Sequence, residues 1–397
     1  MADAYIVGAV RTATGKKKGR LSRIHPVDMG AMVVDELVDR TGIPTDAVDD
    51  VIFGVVMQIG AQASNLGRNV SMSSKVDLSV PGTTVDRQCG SSLQAIQFGA
   101  QAVMSGTQDV IIAGGVEAMS TVEIGSNIRD GLEHGRGKPK GERLELQYPG
   151  IQFSQFDGAE LLAEKYGITR QELDAFGLLS HQRAASATKN GYFKQEIVPI
   201  NIELEDGTRD IHVLDEGIRA EATLAGMESL NPLREGGVIT AGTASQISDG
   251  AAAVMIANET AVKKYNLPVR AKIHSLAVVG SDPVIMLEGP IPATQKVLEK
   301  AGLTIDDIDL YEVNEAFGSV PLAWAKALKA DMNKLNVNGG AQALGHPLGG
   351  TGAKLMTTLV HELERRGGRY GLIAICEGGG TANAMIIERM NSVADIH

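Results

Sequence analysis

The chain repeats itself. Sliding the sequence by 260 positions lays Gly42-Ile43 on Gly302-Leu303, Asp46 on Asp306, Val48 on Ile308 and Asp49 on Asp309, one helix-loop-strand signature written twice. The same shift carries Cys89-Gly90-Ser91 onto Gly349-Gly350-Thr351. Each triplet leads into helical apolar spacing, Leu93 to Met104 and Leu355 to Leu363, and then into an apolar strand, Val110 to Ala113 and Leu372 to Ile375. Strand, turn, helix, strand is the βαβ signature of a mostly parallel sheet covered by helices. The expected fold is therefore α/β and duplicated: two similar βαβ-based halves with helix-covered mixed sheets. Corresponding turns of such halves face each other across a pseudo-twofold, which brings Cys89 towards the turns of the second half.

Between the halves the repeat breaks down. Residues 121–248 form an expected insertion, with residues 1–120 and 249–268 as the first half and 269–397 as the second. The insertion opens with His134-Gly135-Arg136-Gly137-Lys138-Pro139-Lys140-Gly141, which reads as an exposed loop with a basic tip. From Ala159 to Thr188 the pattern is helical.

Composition excludes several function classes. A net charge of −11 disfavours nucleic acid as a partner. No apolar run reaches the length that spans a bilayer, so no membrane anchor is expected. The opening Ala4-Tyr5-Ile6-Val7 reads as a strand rather than a leader, and the closing Ala394-Asp395-Ile396-His397 is not a Ser-Lys-Leu address; a cytoplasmic location is expected. Two cysteines in 397 residues are not a disulfide framework. Gly349 to Lys354 lacks the Gly-Lys-Ser/Thr ending of a phosphate loop, no strand leads into GxGxxG, and no His, Asp or Glu cluster has ligand spacing. Neither a metal nor a permanently bound cofactor is expected.

Four segments carry the unusual residues. Cys89 precedes a helix, where free amides and the positive dipole end favour a thiolate. Cys376 opens the turn Cys376-Glu377-Gly378-Gly379-Gly380. His346, held between Gly345 and Pro347, is the best placed of the eight histidines to serve as a base. Asn314 follows the strand Leu310 to Val313 and offers an amide to a water or carbonyl oxygen. Backbone amides at Cys89 and Gly378 suit an oxyanion hole, since glycine lets a substrate approach the chain closely. Two thiols at two such turns point to covalent acyl chemistry.

With these residues in order, the chain resembles the thiolase family. The resemblance covers essentially its whole length: Asp86-Arg87-Gln88-Cys89-Gly90-Ser91-Ser92, Gly115 to Ser120, Thr240 to Gly250, Asn314-Glu315-Ala316-Phe317, Gly345-His346-Pro347, and Cys376 with its glycines. It implies a thiolase-type fold whose insertion is a loop domain covering coenzyme A. It also implies acyl transfer between coenzyme A thioesters, with acyl-CoA and coenzyme A as substrates. Cys89 would attack a 3-ketoacyl-CoA and keep the shortened acyl group as a thioester. His346 would activate Cys89 and, with Asn314 acting through a water, hold the thioester oxygen. Cys376 would shuttle the proton of the acetyl-CoA α-carbon, and the amides of Cys89 and Gly378 would form the second oxyanion hole. Ser245 would contact the pantetheine arm. Phe317 is a further expected contact to coenzyme A, and Arg219 and Arg234 are candidates for its phosphates. A homodimer or homotetramer is implied.

Two departures from the family pattern carry information. Glu377 stands where members more often have a small or apolar residue, and an inward acid there raises the pKa of the neighbouring thiol. The stretch Phe153 to Gly158 lacks the His-Met pair typical of short-chain biosynthetic members. The favoured reading is a degradative 3-ketoacyl-CoA thiolase. A biosynthetic acetyl-CoA acetyltransferase is the alternative, and a non-catalytic lipid carrier on the same fold the distant one. The pairing of one cysteine with two histidines that marks ketoacyl synthases is not the pattern here.

Overall fold

In the computed structural model, which describes residues 2–204 and 206–390, the duplication is visible strand by strand. The closing tetrapeptide Ala394 to His397 lies outside the described residues. The main sheet runs in the order Leu310–Val313, Tyr370–Glu377, Thr381–Arg389, Ala271–Gly280, Tyr5–Thr12, Ser248–Ala257, Val110–Ala118, Asp50–Gly54, Gly82–Val85. It divides at its middle, where Tyr5–Thr12 and Ala271–Gly280 meet through only Tyr5↔Lys272 and Ile6↔Ala271. On either side the topology is the same. Asp50–Gly54 lies parallel to Val110–Ala118, as Leu310–Val313 does to Tyr370–Glu377. Each longer strand then pairs antiparallel with Ser248–Ala257 or Thr381–Arg389.

The sheet is more antiparallel than a simple βαβ reading predicts. The hairpin at Gly378–Gly380 turns the chain straight back on Tyr370–Glu377, and the first half regains its matching strand only after the insertion. Val110–Ala118 and Ser248–Ala257 are buried at every position, which explains their unbroken apolar runs: both faces are covered.

The covering helices come in equivalent pairs. Ser91–Ser105 and Thr351–Arg366 pack on each other between the two half-sheets, while Pro26–Thr41 and Pro290–Ala301 cover the outer faces. The result is five alternating layers. Gly42 and Gly302, matched by the repeat, close the outer helices in the left-handed conformation at φ 63° and 67°. The recurring Gly-Ile and Gly-Leu pairs are thus helix stops, glycine being the residue that adopts this conformation without a Cβ clash.

The helical pattern of the inserted segment resolves into two consecutive helices, Gln155–Lys165 and Arg170–Lys189. Thr169 and Glu172 form a capping box that starts the second, so four residues of turn interrupt the helical pattern. The basic tip 134–141 is an exposed loop. Among the described residues no helix is long and apolar enough to cross a membrane.

Candidate active site

The repeated central helices start side by side, and the turns that precede them carry Cys89 and His346. At the first turn Gln88 takes φ 48°, and the turn is locked by Ser91, whose hydroxyl donates to Gln88 O at 2.6 Å and accepts from Arg87 N–H at 2.9 Å. Cys89 is buried beneath this turn. The expectation of a thiolate at a helix N-terminus is corrected here. Burial, followed by the charge of Glu377, pushes the Cys89 thiol up to about 12, because desolvation outweighs what the helix end supplies. Cys376, at the end of Tyr370–Glu377, is within electrostatic range of Cys89; its thiol is raised by burial, by Cys89 and by Glu377. Both thiols are protonated at rest.

His346 sits in the equivalent turn of the second half. Its backbone N–H donates to Ser248 Oγ at 3.1 Å and to Gln246 O at 3.3 Å. Its ring is neutral, held down to about 3 by burial and then by the Lys354 ammonium. Nδ1 lies 2.6 Å from Thr351 Oγ1, and that hydroxyl donates its proton to Pro347 O at 2.9 Å. Thr351 therefore accepts from Nδ1–H, and Nε2 keeps its lone pair. The amide Nδ2 of Asn314 faces Nε2 at 3.4 Å, while Asn314 Oδ1 is buried without a partner. A basic imidazole nitrogen, met only by a long bond from the Asn314 amide, and an orphaned amide oxygen thus share one spot, as a site for a polar reactant requires.

Second-layer contacts hold these turns in place. Glu117 accepts from Val56 N–H at 3.0 Å, Met57 N–H at 3.1 Å, Gln62 Nε2 at 2.6 Å and Gly349 N–H at 2.8 Å, tying the His346 turn to the first half. Glu315 accepts from Ser180, Asn336 and Gln342, which fixes the strand end that presents Asn314. Lys354, buried and lowered to about 7 by desolvation, donates to Leu344 O and Gly345 O just ahead of His346.

Sequence reasoning passed over three side chains here. Gln155 lies close enough to the Cys89 sulfur to oppose the rise in its pKa, and its Nε2 lies 3.4 Å from the position of a Cβ on Gly378, which brings Gly378 to the same site. It falls in a stretch noted only for the residues it lacks. Glu117 and Thr351 are interior residues of segments whose glycines drew attention first. Of the expected coenzyme A contacts, Ser245 is bonded through its N–H to Ala316 O at 2.9 Å and stays partly exposed. Phe317 is buried against Phe156, with ring centroids 5.4 Å apart, and Phe156 is the ring left open. Arg219 is exposed, its N–H tied to His181 Nδ1 at 3.1 Å. Arg234 is engaged by Asp157 at 3.1 Å and lies over the Phe156 ring.

Residues 4–260 match the thiolase N-terminal domain and residues 267–389 the thiolase C-terminal domain. The chain belongs to the thiolase family. It is 54% identical to the steroid 3-ketoacyl-CoA thiolase FadA6 of Mycobacterium tuberculosis, over 98% of this chain and 95% of that one. The crystal structure of human mitochondrial 3-ketoacyl-CoA thiolase superposes with a TM-score of 0.88 at 37% identity, covering 98% of this thiolase and 99% of the human chain. The acetyl-CoA acetyltransferase of Bacillus anthracis superposes with a TM-score of 0.90 at 38% identity, with the same coverage. The thiolase described here is an acyl-transferring enzyme of this family.

Proposed function

We propose that this thiolase cleaves a bulky, ring-bearing 3-ketoacyl-CoA with coenzyme A, giving acetyl-CoA and a shortened acyl-CoA. The observation that carries the chemistry is the pairing of two buried thiols with a neutral histidine whose Nε2 carries its lone pair. Likeness to a steroid 3-ketoacyl-CoA thiolase across nearly the whole chain supports the substrate class.

In the first step Cys89 gives its proton to His346 Nε2 while its sulfur adds to the keto carbon. The resulting oxyanion faces His346 and a water on Asn314. Collapse breaks the bond between the α- and β-carbons. The departing acetyl-CoA enolate is met by the amides of Cys89 and Gly378 and takes the Cys376 proton on carbon. In the second step the Cys376 thiolate accepts the coenzyme A thiol proton, and the coenzyme A sulfur displaces Cys89 from the acyl thioester as a thiolate that takes its proton back from His346. Because both thiols and the imidazole are neutral at rest, proton transfer accompanies attack rather than preceding it.

Arg219, exposed beside the helix Arg170–Lys189, is the candidate for the coenzyme A phosphates, and Ser245 for the pantetheine arm. Arg234 is the weaker candidate, since Asp157 already holds it. Exposed apolar side chains at Ile124, Ile128, Leu132 and Leu146 in the insertion support assembly with further copies of the chain.

The test is coenzyme A-dependent loss of 3-ketoacyl-CoA absorbance across a series from acetoacetyl-CoA to long-chain and ring-bearing substrates. Turnover highest on ring-bearing substrates is expected. A maximum at four carbons replaces this reading with an acetyl-CoA acetyltransferase, and silence throughout leaves the carrier. Cys89→Ala is expected to lower turnover by roughly a thousandfold or more while changing stability by about 1 kcal/mol or less.

A further inference from the structure

Glu377 points into the site. Its side chain is fully buried, and Oε2 accepts from Thr381 Oγ1 at 2.5 Å. Oε1 has no partner. That oxygen lies 1.9 Å from the position a Cβ on Gly90 would occupy, so the carboxyl sits directly against the residue that follows the nucleophile. Asn383 Oδ1, equally buried and unpartnered, lies 2.8 Å from the same position. The Asn383 amide cannot be turned round without loss, because its Nδ2 donates to Gly90 O at 3.0 Å. Two buried acceptor oxygens without a hydrogen-bond partner therefore lie beside the same point, 1.9 and 2.8 Å from it.

A single proton resolves this. A hydroxyl at Glu377 Oε1 donates to Asn383 Oδ1 and satisfies both atoms, whereas a carboxylate leaves two buried lone pairs opposed. We infer that Glu377 is a neutral carboxylic acid that positions the nucleophile turn, its proton joining Asn383 and, through Asn383, clamping Gly90 beside Cys89. On ionisation the clamp becomes an anion set against both thiols.

Of the charged groups around it, Arg87 alone favours the ionised form. Arg87 and Asp86 face Glu377 from the nucleophile turn with opposite effects, and Arg87 Nε is buried without a partner. Cys89 on the same turn and Cys376 on the adjacent strand position both feel its charge. Thr381 and Asn383, on the returning strand, supply only neutral contacts. Burial raises the carboxyl to about 8, above neutral pH.

The inference rests on Cys89 being the reactive thiol, and its test does not use turnover. In full-length protein, the rate of Cys89 alkylation by iodoacetamide is followed against pH by peptide mass spectrometry, in wild type and Glu377→Gln. The glutamine amide preserves both hydrogen bonds and never ionises. Labelling of Cys89 in Glu377→Gln is expected to rise about one pH unit earlier, which is roughly tenfold faster above pH 9. Superimposable profiles overturn the inference; failure of Cys89 to label in either protein instead sinks its reading as nucleophile. The infrared difference between wild type and Glu377→Gln decides the protonation state independently. A carboxylic-acid carbonyl band at pH 7 that disappears on alkaline titration is expected, and carboxylate bands alone at pH 7 overturn the inference.

Discussion

One hydroxyl decides which nitrogen of His346 is basic. Thr351 donates to Pro347 O and so accepts from Nδ1–H, leaving Nε2 with its lone pair towards Asn314. Thr351→Val removes that acceptor and strands a buried N–H, a penalty of about 1–3 kcal/mol, which corresponds to roughly a tenfold to hundredfold loss if it is felt in the transition state. The expected outcome is a fall in kcat of that size with KM for coenzyme A little changed, and recovery in Thr351→Ser. Equal kcat in wild type and valine variant removes Thr351 from the mechanism. At this scale the sequence was legible where glycine surrounds a reactive side chain, as at Cys89, His346 and Cys376. Thr351, Gln155 and Glu117 were not, because a helix-start threonine, a glutamine and a strand glutamate have ordinary uses that local spacing cannot tell apart from these. The ionisation of Cys89 was misjudged for a related reason: a helix N-terminus is visible in sequence, whereas the burial that outweighs it depends on both half-sheets.

At the scale of elements, the site exists because the two repeated helices start in close contact. Ala353 N–H donates to Ser92 Oγ at 2.9 Å, and a Cβ on Gly352 would lie 2.3 Å from the backbone nitrogen of Leu93. No side-chain movement relieves a clash with backbone. Gly352→Ala must therefore move one helix start relative to the other, and with it Cys89 relative to His346. A stability loss of about 1–3 kcal/mol is expected in denaturant unfolding, with a marked loss of turnover. Gly141→Ala, where nothing lies within 4 Å, is expected to stay within about 0.5 kcal/mol of wild type. If the two variants behave alike, the contact is not what sets the spacing. The repeat made these helices legible as equivalents. Their packing on each other was not, since Gly352 reads in sequence as one more glycine in a turn. The break between Gln155–Lys165 and Arg170–Lys189 was missed because apolar spacing continues across it while the capping box stops and restarts the backbone.

At the scale of the molecule, the halves are joined by few backbone bonds, so side chains along the seam carry weight. His361, on the helix Thr351–Arg366, contacts Ala9 O of the first half at 3.2 Å and faces the Arg270 guanidinium, which itself holds Glu364. Burial, then the charge of Arg270, lowers the His361 imidazole to about 3. An unfolded histidine titrates near 6.5, so between roughly pH 6.5 and 3 the unfolded chain binds a proton that the folded chain refuses. Stability from this group therefore falls on acidification, by at most about 1.4 kcal/mol per pH unit. Glutamine can still donate to Ala9 O but does not titrate. The stability of wild type relative to His361→Gln is thus expected to drop by roughly 1.6 kcal/mol between pH 6.5 and pH 5, measured by denaturant unfolding at one fixed protein concentration. Taking the difference between the two proteins cancels the opposite trend from buried carboxyls such as Glu315, whose raised pKa makes the folded chain bind protons more readily. A difference that does not change with pH means that His361 takes up its proton in the folded state, and that the seam beside Arg270 is open to water.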